Sequence, residues 1–334
     1  MKGNEQTGLT HFRVYTLVIY RIGVRLLLVF HRRFAEASGM VQVTVLTLFD
    51  NKRKDKSMET NSAPLFHRNP QAPPVNRNRE QALLIGLMSG EQEFFYTNSL
   101  TTGRSREELS RHLSLAVRLK DKPNIQLVFN FLKEEGERSA YNIMISLFLS
   151  EHNEKKREAL IKERFLGIDR FVQYCRNLSD FLVYIKENNT IEITNEDLQR
   201  GILAWDLGHL VSLARVSYDY GLLAEEEAWK YIEFAGKKCR ETFACWKEIG
   251  KSFLLGQIMS YPGEENFQEA IRYFLLSTES PESPWVNMVC TAYSMPPCCL
   301  ANSINRAISS AEAVPFFTLT AISSALSSLV EFKA

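Results

Sequence analysis

A chain of 334 residues, 45% hydrophobic and 24% charged, has apolar material for one sizeable core or two small ones. Forty basic residues against thirty-nine acidic leave a formal net charge of +1, which excludes the global basic excess of a dedicated nucleic-acid binder. The six cysteines show no C-x-x-C spacing beside histidines and the six histidines are dispersed, so no metal site and no cofactor are expected, and the thiols are read as reduced and cytosolic.

Residues 14–30 (VYTLVIYRIGVRLLLVF) reach the short limit of a membrane span. Their Val, Ile, Leu and Phe side chains favour insertion by roughly 3–6 kcal/mol, whereas Arg21 and Arg25 oppose it by about 5–7 kcal/mol. The balance is near zero, so a stable span is not expected. A secretory signal fits poorly as well, because His31, Arg32 and Arg33 separate the run from Ala35-Glu36-Ala37. Three readings stay open: peripheral membrane contact through residues 12–34, a weak anchor, or an extension foreign to the native protein, with Met58 opening the globular part. Residues 50–80 turn charged and then rich in Pro and Asn, as a linker does; Asp50 and Asp55 dilute the basic run Lys52, Arg53, Lys54, Lys56 into a solvated tail.

From Gln81 the apolar spacing is helical. Ser105 and Glu108 form a capping box ahead of Leu109, Leu113 and Ala116. Pro123 opens a helix striped by Ile125, Val128, Phe131 and Leu132, and Gly136 closes it. Ala140, Ile143, Met144, Leu147 and Phe148 make the next stripe. The charged stretch Glu151 to Arg164 leads into Phe171, Tyr174, Cys175, Leu178, Leu182 and Ile185. Asn188–Ile193 breaks the pattern, with a short extended piece around Ile191 and Ile193. Thr194 is an N-cap with Glu196 and Asp197 in the first turn, and its helix is expected to run to about Tyr220 on Leu203, Leu207, Leu210, Ala214 and Tyr218, stopping at Gly221. Glu225–Glu227 begin a helix on Ala228, Ile232, Ala235 and Cys239. Trp246, Ile249, Phe253 and Gly256 stripe another, in which Gly250 and Gly256 imply close helix approach. After Pro262-Gly263, a last helix carries Phe267, Ala270, Ile271, Phe274 and Leu275 and ends before Pro281.

No strand alternation, G-x-G-x-x-G or P-loop interrupts this. The expected fold is all-α: a compact multi-helix domain over 77–285, family core 200–261, between an N-terminal extension and linker (1–76) and a low-charge C-terminal tail (286–334).

The stretch WDLGHLVSLARVSYDYGLLAEEEAW, with the spacing on to FACWKEIGKSFLLGQ, resembles the bacterial domain of unknown function 1266 family, in its YbeU- and YbeR-like form. The residues that carry the resemblance are Trp205, Asp206, Ala214, Arg215, Tyr218, Asp219, Gly221, Glu227, Ala228, Trp229, Trp246 and Gly256. The chain departs from the pattern at His209, where Arg is expected, and at Ala224 and Cys245, where a small hydroxyl cap is expected. The resemblance implies a bacterial helical domain and no mechanism.

Asp206 and His209, three apart on one helix, have the spacing of a carboxylate orienting an imidazole, or of an ordinary charged hydrogen bond at the rim of the core. Arg215 lies about 180° round from Asp206, so the two do not pair within that helix. With Asp219 it either braces the turn at Gly221 or grips an anion. Glu225, Glu226 and Glu227 suit a solvated first turn. Trp205, Trp229 and Trp246 read as core anchors before stacking platforms, and Cys245 has no nearby histidine to activate it. The leading expectation is a non-enzymatic interaction protein of a bacterial cytoplasm, binding a protein partner, and no nucleic acid, through a groove formed by Trp205, Arg215, Tyr218, Asp219, Trp229 and Trp246. The alternative is a hydrolase or nuclease-like enzyme with Asp206, His209, Arg215 and Glu227 converging in one pocket; the second alternative is a peripheral membrane protein.

Overall fold

A computed structural model describes residues 65–115 and 122–288, with no strand among them. The N-terminal apolar run, the basic run and the tail after Asn287 and Met288 lie outside the described residues. The helices are α1 (Arg77–Leu83), a 3-10 turn (Leu84–Gly86), α2 (Leu87–Gln92), α3 (Arg106–Leu115), α4 (Lys122–Glu134), α5 (Arg138–Ser150), α6 (Glu154–Arg164), α7 (Asp169–Asn188), α8 (Asn195–Arg200), α9 (Leu203–Tyr220), α10 (Glu225–Thr242), α11 (Trp246–Ser260), α12 (Glu264–Glu279) and α13 (Pro284–Asn287). The fold is all-α. Among the described residues no helix is long and apolar enough to cross a membrane.

Local chemistry sets the helix ends. Ser105 and Glu108 cap reciprocally at α3. Thr194 and Asp197 do so at α8, and Asn153 opens α6 with its side chain on the Lys156 amide. Asn189 (φ +47°) and Gly221 (φ +89°) end α7 and α9 in the left-handed conformation.

The helix expected from Thr194 to Tyr220 is two helices. Gly201, at φ +82°, turns the chain after α8, and α9 starts afresh at Leu203 with the Ala204 amide donating to Ser252 Oγ at 3.0 Å. The apolar stripe begins only after this break, at Leu203, so the N-cap at Thr194 belongs to the short helix before it. On α5 the stripe is rotated: Ala140, Tyr141, Met144 and Ile145 are buried, and Ile143 is exposed.

Every residue of α9 from Ala204 to Ser217 is buried. A helix apolar on all sides belongs at the centre of a core. It is packed on α10 and α11, and also on α2, α3, α4 and the 3-10 turn. Outside it, α1 covers α10, while α7, α8 and α12 cover α11. Helices α5, α6 and α7 pack on one another and reach α9 mainly through its first turn. The close approach of α9 and α11 depends on Gly256, where a Cβ would lie inside the Trp205 ring.

Candidate functional site

Asp206 sits in the first turn of α9, fully buried. Its Oδ1 accepts the Glu137 amide at 2.9 Å; its Oδ2 accepts the Arg138 amide at 3.2 Å and Arg138 Nη1 at 2.9 Å. The Arg138 guanidinium also donates to the carbonyls of Leu132 (2.8 Å) and Lys133 (2.7 Å). One ion pair therefore closes the end of α4, the start of α5 and the start of α9. Gly136, at φ +59°, makes the connecting turn, and a side chain there would occupy the space of the Asp206 carboxylate. Burial pushes the Asp206 carboxyl up to about 6, against the opposing pull of Arg138 and the two amides.

Beside it lies Glu137, which the sequence did not single out. It is 3% exposed and neither carboxyl oxygen accepts a hydrogen bond. Burial raises it to about 8, Arg170 opposes that rise, and Asp206 adds to it. The group is neutral at pH 7, which is how a buried carboxyl avoids the cost of an unpaired charge.

His209, one turn along, places its ring against the Trp205 indole, centroids 3.9 Å apart and planes at 90°, with Phe253 at 5.9 Å. Burial lowers its pKa to about 3, so the imidazole is neutral at physiological pH. The sequence spacing made Asp206 and His209 neighbours, but they engage different elements: the carboxylate holds α5, and the imidazole packs on its own helix and α11.

Arg215 is nine residues beyond Asp206, about 14 Å along the α9 axis at about 1.5 Å per residue. It is 3% exposed and donates to the main-chain carbonyls of Tyr96, Leu100 (3.3 Å) and Thr101 (3.0 Å), with its guanidinium over Phe95 at 5.4 Å. Burial brings it down to about 10, still cationic at pH 7. Asp219 accepts the Thr102 amide and hydroxyl, both at 2.6 Å. The pair thus braces the loop 96–102 rather than the turn at Gly221.

Glu227, in the first turn of α10, accepts the Ala224 amide at 3.0 Å. Here the acid supplies half of a capping box where Ala224 has no hydroxyl to give the other half. The four residues of the enzyme alternative accordingly hold separate partners instead of meeting in one pocket. Trp205, Trp229 and Trp246 are buried, at 3%, 2% and 8% exposure. Trp229 Nε1 donates to Glu225 at 3.3 Å under the Arg79 guanidinium, and Trp246 stacks on Trp285 at 5.3 Å. The indoles are core residues, and Trp246 also borders a small apolar cleft together with Ile85, Gly236, Cys239 and Ile249. Tyr218 is half-buried, with its hydroxyl raised by burial. Cys245 is buried, as are Cys175 and Cys239.

Two further carboxylates escaped the sequence reading. Glu91, 8% exposed and raised to about 7 by burial, accepts the Phe66 amide at 3.0 Å. It borders a cleft of about 10 Å³, the size of a single water, together with Gly90, Phe95, Tyr96, Thr97 and Arg215. Glu93 pairs with His112 at 3.2 Å, both buried. Their signal was local: acids set among Phe94, Phe95 and Tyr96 without a compensating base in the segment.

Across this loop runs the stretch of residues 66–69, set between turns at 65–66 and 70–71. The Thr97 amide donates to His67 O at 2.8 Å. Asn98 holds Asn69 from both sides of its peptide unit, Oδ1 accepting the Asn69 amide at 2.7 Å and Nδ2 donating to its carbonyl at 3.0 Å. Phe66 is 6% exposed at φ +53°, an uncommon conformation for a side chain of that bulk.

A family model described as "Protein of unknown function (DUF1266)" matches residues 119–289. No curated protein and no solved structure matches the chain.

Proposed function

Because the chain belongs to the DUF1266 family, whose description carries no activity, we propose a role read from the geometry: a non-enzymatic, cytoplasmic protein-interaction module. One observation supports it. The charged side chains of α9 each hold the main chain of another segment: Asp206 the amides of Glu137 and Arg138, Arg215 three carbonyls of residues 96–101, Asp219 the Thr102 amide. Chemistry directed at main-chain groups fixes segments in place. The outcome is a stiff central helix supporting a preorganised loop, and preorganised loops lower the ordering cost of meeting a partner.

The test uses the intact chain in the cells that make it, with photo-cross-linking side chains placed singly at the exposed positions His67, Leu127, Leu166 and Val183. One discrete cross-linked protein from a subset of these positions supports the reading. Its absence from all four, together with turnover of a phosphodiester or ester substrate that is lost in Asp206→Asn, contradicts it.

A further inference from the structure

We propose that the cleft at Gly90, between Glu91 and the Arg215 guanidinium, is a site for a monatomic anion of the chloride class, taken up together with a proton on Glu91. The site is independent of any partner that the interaction module holds.

Arg215 is a cation buried to 3% exposure. Its Nε donates to Leu100 O and its Nη2 to Tyr96 O and Thr101 O, three neutral acceptors. Among the described residues no carboxylate forms an ion pair with it. Asp219 acts on it from further off and is spent on the Thr102 amide and hydroxyl. A buried charge without a direct counter-ion is costly, and this guanidinium still has an N–H bond to offer. The group in question is Nη1, which donates to no protein acceptor. It lies 3.8 Å from where a Cβ on Gly90 would stand, so the unspent donor faces the space that the glycine leaves.

That space, about 10 Å³, is bordered by Leu83, Leu87, Gly90, Glu91, Phe95 and Arg215. It admits one species of about the size of a water and shuts out sulfate or phosphate. A water would accept from Nη1 but bring no charge; a halide does both. Glu91 sets when the anion is tolerated. Its Oε2 accepts the Phe66 amide at 3.0 Å, and burial raises the carboxyl to about 7 while Arg215 opposes the rise. Ionised, Glu91 repels an anion in the same cleft and partly offsets Arg215 itself. Protonated, it withdraws that charge and leaves the guanidinium without one. Anion and proton therefore enter together. The other ionisable groups around the cleft are Asp219, Tyr273 of α12 and the Glu93–His112 pair, whose imidazole meets the Phe95 ring edge-on. Burial pushes the Tyr273 hydroxyl up, so it stays neutral through this range. Because Arg215 braces the loop 96–102, occupancy of the cleft ties the order of that loop to halide and to pH.

Thermal melting of the full chain is followed against sodium chloride at constant ionic strength, with gluconate, too large for the cleft, as the balancing anion. At pH 6 the melting temperature is expected to rise with chloride and with bromide. The apparent chloride affinity should weaken about tenfold by pH 8, as the protonated share of Glu91 falls by about that factor. Glu91→Gln keeps an acceptor for the Phe66 amide and should hold the affinity constant within about twofold over the same range. Gly90→Ala sets a methyl beside Nη1 at ordinary contact distances of 3.6–4.0 Å, so the fold is kept and the chloride response should vanish. In crystals soaked in bromide at pH 6, an anomalous peak is expected beside Arg215 Nη1. A melting temperature indifferent to chloride at pH 6, or a response that survives in Gly90→Ala, overturns the site. So does bromide bound only elsewhere. A response lost in Gly90→Ala but equal at pH 6 and pH 8 in the unaltered chain overturns the coupling to a proton on Glu91.

Discussion

Asp206 Oδ2 and the guanidinium of Arg138 stand 2.9 Å apart across 68 positions of sequence, and each side of that contact also closes a helix. Asp206 takes the first amides of α5 while Arg138 takes the last carbonyls of α4. Removing one partner of a buried pair strands the other in low dielectric. Asp206→Ala is therefore expected to destabilise the chain by about 3–5 kcal/mol, read as a lowered urea midpoint at unchanged slope. Asp206→Asn, which keeps an acceptor for an amide, should cost less.

The contact of α9 with α11 gives a second expectation. A methyl at Gly256 must displace the Trp205 ring, which is itself wedged by His209 and Phe253. Gly256→Ala should cost about 1–3 kcal/mol as overpacking, and Trp205→Phe in the same chain should recover part of it. A double-mutant cycle measures the coupling, which should be favourable and of order 1 kcal/mol.

Much of this architecture is legible in the sequence. The caps at Ser105 and Thr194, the acidic start of α10 and the stripe from Trp246 to Gly256 each mark a helix. Local rules encode these ends, and local rules are what a sequence states openly. The break at Gly201 is missed when the cap at Thr194 and the stripe from Leu203 are joined into one helix, although Leu198 does not share the face of Leu203 and Leu207. The site is the reverse case. Asp206 and Arg215 stand out as charges on an apolar helix, yet their partners are main-chain groups of Glu137, Arg138, Tyr96 and Thr101, which any residue possesses. Distance in sequence and anonymity of the backbone hid the pairing. Glu137 was hidden for another reason: beside Glu134, Glu135 and Arg138 it looks like one more surface charge.

Stability should fall on the alkaline side through the Glu137 carboxyl. Its folded pKa of about 8 lies above the unfolded value of 4.5, so its contribution is complete below about pH 4.5 and is lost as the pH rises through 8. The groups facing it, Arg170 and Asp206, act in opposite directions, and Asp206, raised to about 6, loses stability over a lower window with the same sign. His209, lowered to about 3, does the opposite, and its contribution disappears as the pH drops below 6.5. Together these shifts place the stability maximum near pH 4, and Glu137→Gln should flatten the falling limb between about pH 4.5 and 8 by an amount on the order of a few kcal/mol. An unchanged limb in that variant would assign the alkaline loss to other groups.

Arg215→Lys replaces a fork that reaches three carbonyls by a single ammonium. The expected cost is about 1.5–3 kcal/mol globally, with a larger local effect: amides of residues 96–102 should lose exchange protection ahead of those in α10 and α11. Uniform loss across the domain would show that Arg215 supports the core at large and not the loop.

Hydrogen exchange resolved by residue on the intact chain tests the central claim most directly, because the braces on loop 96–102 and its contacts with residues 66–69 involve named main-chain groups. The account predicts that the amides of Phe66, Thr97 and Asn69 are protected, that Asn98→Ala releases Asn69, and that residues 204–217 of α9 exchange only by global unfolding in both proteins. Free exchange of Thr97 and Asn69 in the native chain, or release of α9 alongside them in Asn98→Ala, would contradict it.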